Sequence, residues 1–398
     1  MEYYTLSRLS YWKYYILILY YRMVELPPVV RVCVVITTFC VLMVLIIMIR
    51  SVAKAEIESF DARHVERNRQ RWHDVIRDIA LTKRTMDVSE IQDILNLPKN
   101  FKMKEKPSRL MVPVFMELYQ EYGKEMNRNN WQRTLMAFKM TVYFEEQVRS
   151  RNMRKRVVAF KNVADIDAPL KEAVASRYLF SKQHKLKICA RLHAARFGTS
   201  YPFKTLEEDP NLIFTEELMV KYHNVLVYRS QNNMTMPNFI RWCNRVPLNE
   251  ELRIFAVNEI RLFRKKEDCA ELLSMLESSR DERFSCALIQ ALGELDYVPA
   301  EKEFCRRYVS ASFTERQALA EALGAINSGS PSILSFLVDD YRQSTDYVSR
   351  MKLLRVIHDY GNKGAEAFAR LKAEADKDHD AILFEHIECD LIDSRKYA

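Results

Sequence analysis

Histidine and cysteine side chains of the kind that bind metal ions occur in two groups along the chain. The first group consists of His379, His386 and Cys389. The second group consists of His184, Cys189 and His193. Spacings of seven and three residues would place the first group on one face of a helix, as a metal site requires. The same positions also suit residues that simply line a packed helix, so we expect neither a metal nor a cofactor.

Glycine is scarce, with 7 residues in a chain of 398. Loops that hold phosphate need clustered glycines, because only a backbone without side chains can approach the phosphate closely. Neither GxGxxG nor GxxxxGK followed by Ser or Thr occurs, and the enzyme motifs HExxH and GxSxG are absent. The adjacent carboxylates Asp339 and Asp340 would point apart on a helix. The sequence therefore excludes nucleotide-binding loops of those kinds, and we expect no catalytic residues and no enzymatic activity.

An uninterrupted apolar run occupies residues 32–49, which contain no charged residue, glycine or proline. At ~1.5 Å per residue such a helix is about 27 Å long, close to the ~30 Å of a bilayer's hydrocarbon core. The run exceeds the ~7–15 apolar residues of a signal peptide and lies well inside the chain, so we expect a retained membrane anchor over residues 29–50. Its representative side chains are Val32, Phe39, Leu42, Leu45 and Ile49.

The segment before the anchor, residues 1–28, is rich in aromatic side chains and ends in two prolines that break a helix. Tyrosine and tryptophan favour the membrane interface, where the ring has apolar surroundings and its polar edge reaches water. We expect an interfacial segment here, and a disordered aromatic tail is the alternative.

The sidedness of the anchor can be read from its flanks, because basic residues near a span tend to remain cytoplasmic. Three Lys or Arg lie in the twenty residues before the apolar run, and five lie in the twenty after it. The 8 cysteines are scattered without a CxxC pair, which is typical of reduced thiols. We expect a single-pass protein of a bacterial inner membrane with the bulk of the chain in the cytoplasm.

Charge differs between the two parts of the chain that follow the anchor. Residues 50–247 contain 36 Lys and Arg against 23 Asp and Glu, whereas residues 248–398 contain 21 against 28. A basic cluster in the first part is the strongest candidate for contact with a partner or with anionic lipid. It consists of Arg149, Arg151, Arg154, Lys155 and Arg156. No nucleic-acid-binding motif accompanies this cluster, so a nucleic-acid partner is not expected.

The chain beyond the anchor shows helical periodicity throughout and lacks the Asn-Gly and Asp-Gly turns that join hairpin strands, so we expect an all-α protein. The predicted segments are a charged stalk and linker (51–107, with a stalk helix at 54–81 and a basic loop at 98–107), a degenerate helical region (108–247) and a repeat region (248–398). Within the degenerate region the pattern predicts helices over 108–123 and 129–150, and an irregular stretch at 199–240.

A repeat with a period of about 32 residues runs through residues 248–398. Its anchor positions, spaced 32, 31, 34 and 30 residues apart, are Ile260, Leu292, Leu323, Ile357 and Ile387. Apolar residues stand four positions before each anchor and three after it, which defines one stripe of a helix. Only Asp390 breaks the pattern, in the last unit, where a polar outer face is expected. Each unit is predicted to be a helical hairpin, and a non-repetitive helical bundle is the alternative.

The ends of two predicted second helices resemble the HEAT-repeat family. Residues 291–295 (ALGEL) and 322–326 (ALGAI) are similar to the Ala-Leu-Gly-x-Leu pattern of that family. The basic residue that the family often carries seven positions before the anchor occurs in three units, as Arg253, Arg316 and Arg350. Ser285 and Asp380 depart from the pattern.

Two earlier segments, residues 155–163 and 186–195, are similar to degenerate units of the same kind. The resemblance implies a HEAT-like α-solenoid, a curved superhelix whose usual work is to hold other proteins. We therefore expect a membrane-anchored, non-enzymatic scaffold in a bacterial envelope-associated complex. Its expected partner is a protein, and an integral membrane protein is one candidate. Two alternatives stay open: a helical-repeat enzyme or ligand sensor similar to the bilin lyases, and a self-assembling element joined through the stalk helix.

Overall fold

The fold was obtained as a computed structural model that describes residues 14, 15, 18, 20–22, 24, 25, 27–97, 105–209, 213–244, 250–375 and 381–396, with the side chains of 105, 106, 381 and 390–396 left out. Most of the predicted interfacial segment, most of the basic loop at 98–107, His379, Asp380 and the side chain of Asp390 lie outside this description. The described residues form α-helices joined by turns and three short 3-10 helices, with no strand among them. The expectation of an all-α protein is confirmed for these residues.

The chain divides into two compact units, Met1–Lys171 and Glu172–Ala398. The predicted division between residues 247 and 248 thus lies inside the second unit. The helices of the first unit are α1 (Pro28–Leu81), α2 (Val88–Ile94), α3 (Glu105–Tyr122), α4 (Arg128–Ala137), α5 (Met140–Arg149) and α6 (Met153–Asp165).

Helix α1 joins the apolar run and the stalk into one element of 54 residues. Pro28 occupies its first turn, where the missing N–H leaves no hydrogen bond unmade. Residues 29–97 contain neither glycine nor proline, so nothing in the sequence interrupts the helix before Leu81. By length and composition the N-terminal part of α1 fits a membrane span or a signal sequence.

Helix α3 packs beside the second half of α1 and runs in the same direction. Two ion pairs fix this arrangement, Arg109 with Asp61 at 2.5 Å and Glu117 with Arg69 at 2.6 Å, and both join residues 48 positions apart. At the far end of α1, the buried side-chain amide of Asn130 donates to the carbonyl oxygens of Ile79, Thr82 and Arg84. These contacts attach α1 to the body of the first unit.

The single helix predicted over 129–150 is wrong, because α4 and α5 are separate. Lys139 breaks the helix with a φ of 57°, in the left-handed region. Phe138 beside it is fully buried and packs edge to face against Phe115 and Trp72. Burial of this ring in the first unit's core accompanies a backbone conformation that lysine rarely adopts.

The helices of the second unit are α7 (Glu172–Ala175), α8 (His184–Phe197), α9 (Lys204–Glu208), α10 (Glu216–Gln231), α11 (Phe239–Asn244), α12 (Glu250–Leu262), α13 (Cys269–Ser278), α14 (Glu282–Glu294), α15 (Glu301–Tyr308), α16 (Phe313–Ile326), α17 (Pro331–Gln343), α18 (Tyr347–Asp359), α19 (Gly364–Glu374) and α20 (Ala381–Lys396). The irregular stretch predicted at 199–240 is wrong, since it contains the 16-residue helix α10. Thr215 caps this helix through the amide of Leu218, and Leu218, Tyr222 and Leu226 form its buried stripe.

In the second half of the second unit, alternate helices pack on one another. Helix α14 lies between α12 and α16, and α18 lies between α16 and α20. The helices α13, α15 and α17 each pack on the helix that follows them, and α19 packs on α18. Three of the predicted helical hairpins are therefore present, α13–α14, α15–α16 and α17–α18, and the second helices from α12 to α20 are in mutual contact.

Candidate functional site

The predicted anchor residues Val32, Phe39, Leu42, Leu45 and Ile49 are all exposed on α1. Every residue from 28 to 60 is exposed, so no other described part of the chain covers this half of the helix. A soluble protein rarely exposes an apolar surface of this extent, because exposing it to water is unfavourable. The surface requires an apolar environment outside the described chain.

The repeat anchors Ile260, Leu292, Leu323, Ile357 and Ile387 are all buried. The residues four positions before them are buried as well. The stripe identified in the sequence is therefore part of the buried core of the second unit.

Polar contacts between neighbouring hairpins recur at the same interval as the anchors. Contacts that join residues 31 to 33 positions apart include Arg283 with Glu251, Arg261 with Glu294, Tyr308 with Asp340, Lys352 with Glu321, and Arg342 with Glu374. Each joins one hairpin to the next. The sequence period of about 32 residues thus corresponds to the distance along the chain between stacked neighbours.

The glycines of the two Ala-Leu-Gly segments lie where neighbouring second helices come close together. A Cβ atom on Gly293 would lie 2.7 Å from both Cα and Cβ of Ala322 in the next second helix. A Cβ atom on Gly324 would lie 2.8 Å from a methyl carbon of Val356. Both distances are below van der Waals contact, so glycine is required for the observed helix separation.

The arginines seven positions before the anchors tie each second helix to the chain that precedes it. Arg253 donates to the carbonyl oxygen of Cys243, and Arg316 donates to that of Ala311. Arg350 donates to the hydroxyl of Tyr341.

In one unit the residue seven positions before the anchor is Ser285, and a different arginine makes the corresponding contacts. Arg307, from helix α15, donates to the Ser285 hydroxyl at 2.9 Å, to the Leu276 carbonyl at 2.7 Å and to Glu315. The departure from the family pattern is therefore compensated by an arginine from the following hairpin.

A cleft of about 310 Å³ opens between α16 and α18 in the second unit. Phe313, Arg316 and Lys352 line it together with Asp340 and Asp346. Both carboxylates have structural partners, since Asp340 accepts from the Tyr308 hydroxyl and Asp346 caps α18 through the amide of Ser349. Tyr347 and Val348 begin α18 beside the cleft, and they are exposed, as is Phe313.

The basic cluster lies on the turn between α5 and α6 in the first unit. Arg149 pairs with Glu145 at 3.9 Å, and Arg156 is half-buried. Arg151 and Arg154 are exposed and have no acidic partner among the described side chains. Lys155 is exposed beside them.

A second cavity, of about 490 Å³, connects this cluster with α3. We call it the basic groove. The side chains that matter for its chemistry are Arg109, Val112 and Met116 from α3, and Arg154, Lys155 and Val158 from α6. Val112 and Phe144 are buried at its floor, whereas the cations stand at its rim. The sequence identified the cations but not the groove, because its walls are separated by more than thirty residues.

No cluster of three metal-binding side chains occurs among the described residues, which include the second candidate group and, of the first, His386 and Cys389 but not His379. His386 and Cys389 are exposed on α20, and His184 is exposed at the start of α8. His193 is buried in the same helix, and burial lowers the pKa of its imidazole to about 3. A neutral buried histidine of this kind is a core residue.

All eight cysteines are free. Burial raises the pKa of the Cys243 thiol to about 12 and that of Cys286 to about 11. Burial also raises the pKa of Cys189, Cys269 and Cys305. Thiols with raised pKa values stay protonated near neutral pH and make poor nucleophiles or metal ligands.

Two polar sites in the second unit could not be predicted from the sequence. Arg229 is fully buried, and its guanidinium donates to the carbonyl oxygens of Ala195, Arg196 and Gly198 at the end of α8. Glu259 is 2% exposed, with both carboxylate oxygens 3.0 Å from Nδ1 of His223. Burial raises the pKa of Glu259, and His223 opposes that change. Such pairs depend on which helices meet, which the periodicity of one helix does not determine.

Comparison with known proteins adds no identity, since no family model matches the chain and no curated protein is significantly similar to it. The HEAT-repeat resemblance stays a prediction that depends on the residues and contacts described above.

Proposed function

We propose that the protein is a membrane-anchored, non-enzymatic scaffold that binds a protein partner on a HEAT-like α-solenoid. The observation that carries the proposal is the agreement between the sequence period and the contacts between hairpins. The second helices from α12 to α20 pack in succession, and polar contacts repeat at 31 to 33 residues. Stacked hairpins of this kind have long surfaces that suit other proteins.

The anchor in this proposal is the N-terminal half of α1, over residues 29–50. Its exposed apolar surface needs a hydrocarbon environment, and the greater number of basic residues after the run favours a cytoplasmic body at a bacterial inner membrane. Anchoring raises the local concentration of the scaffold relative to partners in the same membrane. A weak interface between the scaffold and its partner would then be sufficient for binding.

The docking surface in this proposal is the α16–α18 cleft with the exposed rings of Phe313 and Tyr347 beside it. Exposed aromatic side chains next to a cleft supply large apolar contact area, which is typical of residues that dominate binding energy. The alternative of a bilin-lyase-like enzyme or sensor is not favoured by this cleft, because both of its carboxylates already bind groups of the protein.

The proposal is tested with a photo-crosslinking residue placed at Phe313 or Tyr347 of the full chain in its native membrane. The control position is Arg370, which is exposed on α19. We expect one protein species to crosslink from Phe313 and Tyr347 but not from Arg370. Crosslinks from all three positions alike, or only to lipid, would contradict the docking surface.

The anchor is tested separately by extracting membranes with alkaline carbonate. A span keeps the full-length chain in the pellet, whereas a cleaved signal sequence releases a chain that lacks the apolar run. Release of the intact chain or of a shortened chain would contradict the anchored scaffold.

A further inference from the structure

The basic groove of the first unit combines an apolar floor with a cationic rim. Its floor includes Val112, and its wall on α6 includes Val158, which is 53% exposed although it is apolar. Arg154 and Lys155 stand one helical turn before Val158, on the same wall. A complementary ligand must therefore be apolar along its centre and negatively charged along its edge.

The wall on α6 supplies several cations close together in sequence. The first turn of α6 contains Arg154, Lys155 and Arg156 and no acidic residue. Positive charges this close together repel one another, and they also lie at the end of a helix that disfavours cations. Binding of an acidic group at the rim would relieve both effects.

The height of the groove along α1 distinguishes an acidic peptide from an anionic lipid. Arg109 at the rim pairs with Asp61, which follows Ile49, the last residue of the uninterrupted apolar run, by twelve positions. Twelve residues of helix rise about 18 Å. The headgroup layer extends only ~5–8 Å beyond the hydrocarbon core, so the groove lies above the lipid phosphates.

We infer that the basic groove binds an acidic amphipathic helix from the juxtamembrane segment of a partner membrane protein. The inference rests on the anchoring of α1 in the proposed function, and it adds a second docking surface to the one on the hairpins. Leucine-like side chains of the partner helix would contact Val112, Met116 and Val158, and its carboxylates would pair with Arg154 and Lys155. Met116 suits such a role, because a flexible thioether adapts to different apolar partners.

The experiment measures binding of two fluorescein-labelled peptides of about 18 residues to the full chain in phosphatidylcholine nanodiscs. One peptide has leucines at i, i+3, i+4 and i+7 with glutamates on the flanking positions, and its twin has lysines in place of the glutamates. We expect the glutamate peptide to bind, with an affinity that falls as salt increases, and the lysine peptide not to bind.

The variant R154E/K155E should weaken binding of the glutamate peptide about tenfold or more. V158Q should also weaken it, because it removes an apolar contact without burying a new polar group. The matched control K182E/K185E makes the same change of charge at two exposed lysines of the second unit and should alter the affinity by less than about twofold.

The inference is overturned if the glutamate peptide does not bind, if the lysine peptide binds equally well, or if R154E/K155E binds like the original protein. It is also overturned if dihexanoyl phosphatidylglycerol, and not the peptide, binds in a manner that depends on Arg154 and Lys155. The assay does not involve the α16–α18 cleft, so its failure would leave the docking surface on the hairpins standing. A failed crosslinking experiment at Phe313 would likewise leave this result intact.

Discussion

His193 is held as a neutral imidazole inside the second unit. It is 5% exposed, its ring lies 4.9 Å from that of Phe197, and burial together with the charge of Arg196 lowers its pKa to about 3. In the unfolded chain the pKa of a histidine is about 6.5. The unfolded chain therefore binds the proton first as the pH falls, so the stabilising effect of a neutral His193 is complete above about pH 6.5 and is lost toward pH 3.

We predict that His193→Gln weakens the pH dependence of stability between pH 7.5 and pH 5. Over this range the original protein should lose about 2 kcal/mol of unfolding free energy through His193, because each pH unit below 6.5 contributes at most ~1.4 kcal/mol. Urea unfolding of the detergent-solubilised chain, followed by tryptophan fluorescence, measures the effect. The difference between the two proteins separates His193 from other groups such as Glu259, and equal pH slopes would show that His193 does not titrate as described.

The residue types at such sites could be read from the sequence, but their roles could not. His193 stood in a candidate metal group because of its spacing from Cys189, and its burial depends on how α8 packs in the second unit. The basic cluster was identified in full, since five cations within eight residues are visible without a fold. The groove beside it was not, because Arg109 and Val112 lie about forty residues before the cluster.

At the scale of helices, α14 and α16 come close together at Gly293. An added Cβ would meet the backbone of Ala322, which cannot move without shifting the whole helix. At Gly324 the three nearest atoms that an added Cβ would meet all belong to the side chain of Val356. The same substitution should therefore have different consequences in two neighbouring units.

We predict that Gly293→Ala destabilises the protein by about 1–3 kcal/mol despite alanine's higher helix propensity, and that Gly324→Ala destabilises it less. Adding Val356→Ala should relieve the clash in the Gly324→Ala protein, which a double-mutant cycle reports as a favourable coupling energy. Unfolding in urea gives all the free energies required. A stabilising Gly293→Ala would show that the two helices are farther apart than described.

Element types were predicted well where apolar residues followed one helical stripe, as in α12, α14, α16, α18 and α20. The break between α4 and α5 was missed, because no glycine or proline marks Lys139 and burial of Phe138 is a property of the core. Helix α10 was missed because its residue types do not separate by face, since Val220 is exposed whereas Arg229 is buried. Both errors arise where contacts distant in sequence decide the local structure.

For the molecule as a whole, stacking predicts that a defect spreads to neighbouring hairpins and not to distant ones. Leu323→Ala in the central hairpin should cost about 2–5 kcal/mol and increase hydrogen exchange in α14 and α18 on either side. Ile387→Ala should increase exchange in α19 and α20 while leaving α12 unchanged. Hydrogen–deuterium exchange of the full chain measures both, with Val309→Ala at an exposed position as control.

A single core shared by all these helices would give the opposite result. In that case Ile387→Ala would increase exchange in α12 as much as in α20, and the non-repetitive bundle would be the better description. The exchange pattern therefore distinguishes the two architectures without reference to any partner.

Because α1 has no hinge between its apolar half and the stalk, it would act as a mechanical lever. About 31 residues separate Arg50 from Leu81, a distance of roughly 46 Å along a helix. In the proposed membrane-anchored state, re-tilting the embedded half by ~10° would move the far end sideways by about 8 Å. Asn130 and the two ion pairs to α3 hold the first unit on this helix, so a change in lipid thickness or lateral crowding would displace the first unit directly.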